Sequence, residues 1–190
     1  MAKITDVRPV AASLTFLPVQ TRVPLKFGSE TLTSITCARV RLRVEDGQGR
    51  SAEGWGETPL SVQWVWPSTL PYAERHAALQ QFCLTLTTAW AGFDHLGHPL
   101  EIGHAFQKQV LPDLLAEVNQ ERGSGAEPMP WLAAVVCCSA FDIALHDAYG
   151  MLHQIPVYET YNSDFMNRDL AYFLQPAAGA QVSFDDLYPR

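Results

Sequence analysis

The chain has 190 residues, of which 47% are hydrophobic and 17% charged, and its formal net charge is −7 at pH 7. This balance predicts a globular protein with one domain and a real core, or one domain with a short extension. The negative charge argues against a nucleic-acid binder, which needs clustered Lys and Arg, and against docking on an anionic membrane. We therefore expect neither nucleic acid nor a membrane as a partner.

Three features of the sequence predict a cytoplasmic protein. The N-terminus lacks the apolar segment of a secretory signal. The longest apolar run, residues 131–138, is far shorter than the roughly 20 residues of a membrane span. None of the four cysteines forms a Cys-x-x-Cys pair, and Cys137 and Cys138 have no adjacent His. Reduced, buried thiols in a cytoplasmic protein are the expectation.

The first third of the chain predicts three strands. Residues 4–16 are rich in apolar and β-branched side chains, and Pro9 suits an edge strand. Residues 33–45 alternate, with arginines on one face and apolar side chains on the other. A Gly-containing turn at 46–49 then leads into a third strand at 50–57. The pattern favours a three-stranded antiparallel meander.

Two irregular segments and three helices complete the pattern. Residues 18–31 are predicted to be a polar, basic loop, and residues 58–71 a loop with several prolines and two tryptophans. Helical periodicity then covers 72–90, 100–122 (with a kink or restart at Pro112) and 131–152. Residues 169–174 form a short apolar run that predicts one buried strand. The fold class is α+β, a meander followed by a helical bundle.

Three stretches together resemble one known family. Residues 44–47 running into 54–59 (Gly-Trp-Gly-Glu-Thr-Pro) are similar to its hairpin and Gly-x-Gly-Glu segment. Residues 140–147, Ala-Phe-Asp-Ile-Ala-Leu-His-Asp, are similar to its helix Ala-Leu-Asp-x-Ala-Leu-Trp-Asp. Residues 155–159, Ile-Pro-Val-Tyr-Glu, resemble its exit Pro-Val-x-Glu-Leu. In this order the motifs resemble the mandelate racemase/muconate lactonizing family of the enolase superfamily, over roughly residues 1–162.

The chain departs from the family pattern at two places. His146 stands where the family commonly has Trp, and Tyr161-Asn162-Ser163 replaces the usual Leu-Gly-Gly. Neither change threatens the fold. They place the chain outside the best-known subgroups, so its substrate cannot be inherited from any of them.

The resemblance implies a division of the chain and of the chemistry. Residues 1–162 would be the N-terminal capping domain, and residues 163–190 the start of a β/α barrel whose first strand is 170–174. In the family, the barrel holds Mg²⁺ through three carboxylates, and Lys or His bases remove the proton α to a substrate carboxylate. No lysine follows Lys108. We therefore expect no catalytic and no metal-binding residue in this chain, with Mg²⁺ belonging to the full-length barrel.

The cap of this family closes the active site with two segments, which by position are residues 18–31 and 55–67. Arg22 and Lys26 are predicted to hold a substrate carboxylate. The predicted apolar wall of the site consists of Phe27, Trp64 and Trp66. The alternative is that these side chains are solvated loop charges and aromatics that pack on the helices.

Two further clusters have simpler interpretations. His95, His98 and His104 lack the paired spacing of structural zinc sites. Asp142 and His146 lie four residues apart on one helix, which favours a helix-stabilising contact over an acid/base pair.

Three functions remain open. The first is the substrate-capping part of a dehydratase, racemase or cycloisomerase that acts on a small carboxylate or acid sugar, inactive alone. The second is the cap of a split enzyme, assembled with a separately encoded barrel chain; a homo-oligomer is a further possible assembly. The third is a non-catalytic binding module that has kept the cap fold.

Overall fold

The computed structural model describes residues 2–27, 30–123 and 125–189, and it describes no side chain for Phe27 or Glu30. Three strands form one antiparallel sheet in the order β1-β2-β3. Their bounds are β1 Val7–Phe27, β2 Glu30–Asp46 and β3 Ser51–Pro59. The predicted meander is confirmed, and so is its position at the front of an α+β chain.

Helices follow the sheet. Their bounds are α1 Val62–Val65, α2 Tyr72–Ala91, α3 Pro99–Gln109, α4 Leu111–Glu121, α5 Trp131–His153 and α6 Leu170–Phe173, with a 3-10 turn at Val157–Thr160. The three long predicted helices are confirmed. The restart at Pro112 is also confirmed, because Pro112 lies in the first turn of α4, where its missing N–H costs no helical hydrogen bond.

The two faces of β2 differ as its alternation predicts. The inward side chains Ala38, Val40, Leu42 and Val44 are fully buried under the helices. On the outer face, Arg39 pairs with Glu57 directly across on β3, and the Arg41 guanidinium lies 5.8 Å from the centre of the Trp55 ring. Such an antiparallel sheet keeps one face in the core and leaves the other to water.

Two glycines of β3 allow α5 to pack directly on the sheet. A Cβ atom at Gly54 would lie 2.0 Å from the Ala148 backbone nitrogen, and one at Gly56 would lie 2.1 Å from the Ala140 carbonyl oxygen. By length and composition α5 could cross a membrane, but half of its most apolar window is buried inside the protein. The contact with β3 identifies α5 as the central core helix.

The prediction of a loop at residues 18–31 is wrong. β1 continues to Phe27 and β2 already begins at Glu30, so the described residues 18–27 and 30–31 belong to a two-stranded arm that extends past the end of β3. Gly28 and Ser29 of the predicted loop lie outside the described residues. The β-branched and apolar residues of this segment favour strands, and this preference outweighs the basic and proline residues that suggested a loop. Three extra β1 residues bulge out between Gln20 and Leu25, and this bulge accommodates Pro24.

The predicted barrel strand at residues 170–174 is not formed. Leu170–Phe173 is one helical turn, capped by the Asp169 carboxylate, which accepts a hydrogen bond from the Ala171 backbone N–H at 3.1 Å. A buried parallel strand needs neighbours on both edges. In the part of the chain that the structure describes, no strand lies beside this segment, and the local cap decides its conformation.

Candidate functional site

The two segments predicted to cover a substrate lie at the same end of the sheet. The last pair of β2 and β3 is Cys37 with Pro59, and the Leu60 N–H then donates to the Thr36 carbonyl at 2.9 Å. The helix α1 therefore starts at the base of the arm. Antiparallel pairing places the turn at residues 46–50 at the opposite end.

Arg22 and Lys26 are exposed on the arm. Arg22 lies in the bulge of β1, opposite the part of β2 between Leu32 and Ser34. This part of β2 is three residues beyond Thr36 at the base of the arm, or about 10 Å at 3.3 Å per residue. Lys26 pairs with Thr31, further towards the tip. The predicted Phe27 side chain lies outside the described residues. Both cations are thus presented to solvent by a projecting element.

The two tryptophans near α1 have different environments. Trp64 is about half exposed, whereas Trp66 is 1% exposed. The Trp66 indole N–H donates to Glu127 Oε1 at 2.8 Å, and the Arg122 guanidinium lies 4.9 Å from the ring centre. Trp64 is therefore accessible to solvent, whereas Trp66 is part of the core and cannot form the predicted wall of a site.

The three family-like motifs meet in space. The Trp55 backbone N–H of the first motif donates to Asp147 Oδ2 of the second at 2.8 Å. The third motif begins where the Ile155 N–H donates to the Gly150 carbonyl at 3.2 Å, after a left-handed residue at Gln154. These contacts tie β3, α5 and the exit from α5 together, so the motifs maintain the fold.

His98 caps the N-terminus of α3. Its Nδ1 accepts from the Leu100 N–H at 3.3 Å, while its Nε2 lies 2.9 Å from Thr160 Oγ1. Thr160 donates its own hydrogen to the Val157 carbonyl at 2.5 Å, so Nε2 must carry the proton of a neutral imidazole. Burial lowers the pKa of His98 to about 3. Within residues 2–27, 30–123 and 125–189, no three His, Cys, Asp or Glu side chains group to hold a metal ion.

The neutral His98 predicts a pH-dependent stability. The folded-state pKa is about 3, below the unfolded value of about 6.5, so only the unfolded chain takes up the proton between these values. The free energy of unfolding should therefore fall as the pH drops below about 6.5, by up to about 1.4 kcal/mol per pH unit. His98→Asn keeps a capping acceptor and should reduce this slope. Urea unfolding at pH 7, 6 and 5 measures it; equal slopes would show that folded His98 accepts a proton.

Glu101 joins α3 to the segment after the 3-10 turn, a feature that sequence reasoning missed. Its buried carboxylate accepts hydrogen bonds from the backbone N–H groups of His98 (3.1 Å), Asn167 (2.6 Å) and Arg168 (2.8 Å). The Asn167 amide also donates to it at 3.0 Å and to Asp6 at 2.9 Å. The spacing His98-Pro-Leu-Glu101, which is that of a capping box, was the available signal.

The predicted contact between Asp142 and His146 is formed. His146 Nδ1 lies 2.8 Å from the Asp142 carbonyl oxygen and 3.8 Å from its carboxylate. The carboxylate lies against Gly103 of α3, since a Cβ there would be 2.2 Å from Asp142 Oδ1. Both side chains line an open cavity beside α5 that the sequence pattern did not predict.

The chain is similar to known proteins in structure but not detectably in sequence. No protein-family model and no curated protein sequence matches the chain. A mandelate racemase/muconate lactonizing enzyme-like protein from Rubrobacter xylanophilus is similar, with 19% identity and a TM-score of 0.41, over 81% of this chain and 33% of that one. A dipeptide epimerase from Enterococcus faecalis, in complex with Mg and L-Leu-L-Tyr, has 17% identity and a TM-score of 0.46, over 82% and 35%.

A third similar structure is an enolase from Bradyrhizobium in complex with magnesium and mandelic acid. It has 15% identity and a TM-score of 0.44, over 83% of this chain and 35% of that one. The chain resembles the mandelate racemase/muconate lactonizing proteins in fold and spans about a third of the length of the structures it matches.

Proposed function

We propose that this chain is the substrate-capping part of a mandelate racemase/muconate lactonizing-like enzyme, which removes the proton α to a carboxylate. In this proposal residues 1–162 are the capping domain, and residues 163–190 lead into a β/α barrel. The observation that carries it is the projecting arm, which presents Arg22 and Lys26 at the same end of the sheet as the half-exposed Trp64. Cations and an aromatic ring together suit a small carboxylate with an apolar part.

The ligands of similar proteins agree with this choice of substrate class. The dipeptide of the epimerase and the mandelic acid of the enolase are both small carboxylates, and both structures contain magnesium. The described residues of this chain do not fit a Mg²⁺ site, because no three suitable side chains group together. The metal and the bases of the proposed reaction would therefore come from barrel sequence outside these residues, in the same polypeptide or in a separate chain.

The test compares the proton-exchange activity of two samples. One is the chain alone, and the other is the chain fused to, or mixed with, a barrel encoded by the neighbouring DNA. Exchange of the α-proton for deuterium in D₂O, followed by NMR on mandelate and L-Leu-L-Tyr with Mg²⁺, reports the chemistry before any turnover. We expect exchange only in the mixture. Exchange by the chain alone would contradict the proposal, and binding of an acid by the chain alone without exchange would instead support a non-catalytic module.

Arg22→Ala is expected to raise the KM of the assembled enzyme by about 10-fold to 100-fold, because one charge-assisted hydrogen bond is worth about 1.5–3 kcal/mol and each 1.4 kcal/mol is a factor of ten. The matched control is Arg43→Ala, an exposed arginine on the body of the sheet, opposite Ala11. That variant should leave KM unchanged. Equal KM values for the two variants would show that the arm does not touch the substrate.

A further inference from the structure

The two departures from the family pattern lie side by side. The rings of His146 and Tyr161 have centroids 6.1 Å apart. Both line a cavity of about 420 Å³ between α5, the 3-10 turn and β3. Residues that the sequence marks as unlike the family therefore form one surface feature, and this feature is concave.

The walls of the cavity are largely aromatic and aliphatic. Trp55 and Tyr158, which are 52% and 81% exposed as residues, contribute aromatic rings, and the Tyr158 and Tyr161 centroids lie 6.0 Å apart. Ile143 and Val157 complete the apolar lining. Aromatic faces carry negative partial charge, so such walls accept a cation with an apolar body.

The acidic side chains that line the cavity are Asp142 and Asp147, whose carboxylates accept hydrogen bonds. The Asp142 carboxylate receives no hydrogen bond from any described side chain or backbone group, and its closest cationic candidate, His146 Nδ1, is 3.8 Å away. That nitrogen donates its hydrogen to the Asp142 carbonyl oxygen instead, because a carbonyl can only accept. Burial raises the pKa of Asp142, which is consistent with a carboxylate that lacks a partner.

The second carboxylate, Asp147, uses one oxygen to accept the Trp55 N–H. No Lys or Arg is among the described residues that line the cavity, although the Arg41 guanidinium lies 5.8 Å from the Trp55 ring centre. An anion entering the cavity would be repelled by the two carboxylates, whereas a cationic N–H donor would satisfy the acceptor oxygens of Asp142.

We propose that this cavity binds a small organic ammonium ion with an apolar ring or chain. The ammonium group donates to the Asp142 carboxylate, and the apolar part lies against the rings of Tyr158 and Tyr161. The proposal uses none of the arm residues and does not depend on the capping function.

The probe is benzylammonium. Two control ligands carry the same ring: benzoate has the opposite charge, and benzyl alcohol is neutral. Titration of the full chain at pH 7, followed by NMR of the His and Tyr ring signals, should give saturable shifts at His146 and Tyr161 with a low-millimolar dissociation constant for benzylammonium. Equal affinity for benzoate or benzyl alcohol, or no saturation by benzylammonium, would overturn the proposal.

Asp142→Asn should weaken benzylammonium binding about tenfold, because it removes the charge that accepts the ammonium. Asp113→Asn, an exposed carboxylate on α4 with the same change in charge, should leave binding intact. Tyr161→Leu tests the wall without touching the carboxylate and should weaken binding several-fold. Unchanged affinity in folded Asp142→Asn or Tyr161→Leu would refute the assigned contacts.

Discussion

Replacing Gly56 with Ala is expected to lower the free energy of unfolding by about 3 kcal/mol, at the upper end of overpacking effects. The new Cβ would lie 2.1 Å from the Ala140 carbonyl oxygen and 2.6 Å from the Ala144 backbone nitrogen. Backbone atoms of a packed helix cannot rotate away, so α5 must move off the sheet and lose core contacts. Urea unfolding, with the free energy extrapolated to water, measures the loss.

Gly47→Ala is the matched control. It makes the same chemical change in the turn before β3, where an added Cβ meets no heavy atom within 4 Å. The expected change in the free energy of unfolding is below about 0.5 kcal/mol. If Gly56→Ala were as stable as this control, β3 and α5 would not touch through their backbones as described.

The second large effect is expected at Glu101. Glu101→Ala should lower the free energy of unfolding by about 3 kcal/mol, because it leaves one buried and three partly buried N–H groups without their acceptor, at about 1–3 kcal/mol for a fully buried group and less where water can replace the carboxylate. These donors belong to His98, Asn167 and Arg168. Thermal unfolding measures the loss, and limited proteolysis should show earlier cleavage near residue 167 than in the unmodified protein.

Two variants separate this interpretation from a loss of charge or shape. Glu117→Ala removes an exposed carboxylate from α4 and should change the free energy of unfolding by less than about 0.5 kcal/mol. Glu101→Gln keeps the shape but replaces one accepting oxygen by an NH₂ group, and should lose an intermediate amount. A fully stable Glu101→Gln would mean that only one carboxylate oxygen matters.

Local sequence patterns predicted the elements that form from short-range interactions. The alternation of residues 33–45 sets the buried face of β2, and Pro112 sets the start of α4. The arm was missed because its basic and proline residues suggested a loop, while its strand propensity and a bulge allow pairing. The turn at Leu170–Phe173 was missed because an apolar run fits a strand or a buried helix equally well.

The candidate sites depended more on distant contacts. Sequence placed Trp64 and Trp66 together, but only packing separates them, because Trp66 finds Glu127 and Arg122 far along the chain and becomes buried. The cavity beside α5 likewise needs Trp55 and Tyr161 to meet, although about a hundred residues separate them. A single sequence carries no signal for such a meeting.

By itself, the sequence determined the α+β order, the faces of β2, the long helices and the resemblance to one family through three motifs. It could do so because hydrogen-bond periodicity and turn chemistry act over a few residues. The tertiary structure alone decided which side chains are available to a ligand: Arg22, Lys26 and Trp64 at one end, and Asp142, His146 and Tyr161 beside α5. The exposure of a side chain depends on which distant residues pack against it, and these contacts form only when elements such as β3 and α5 come together.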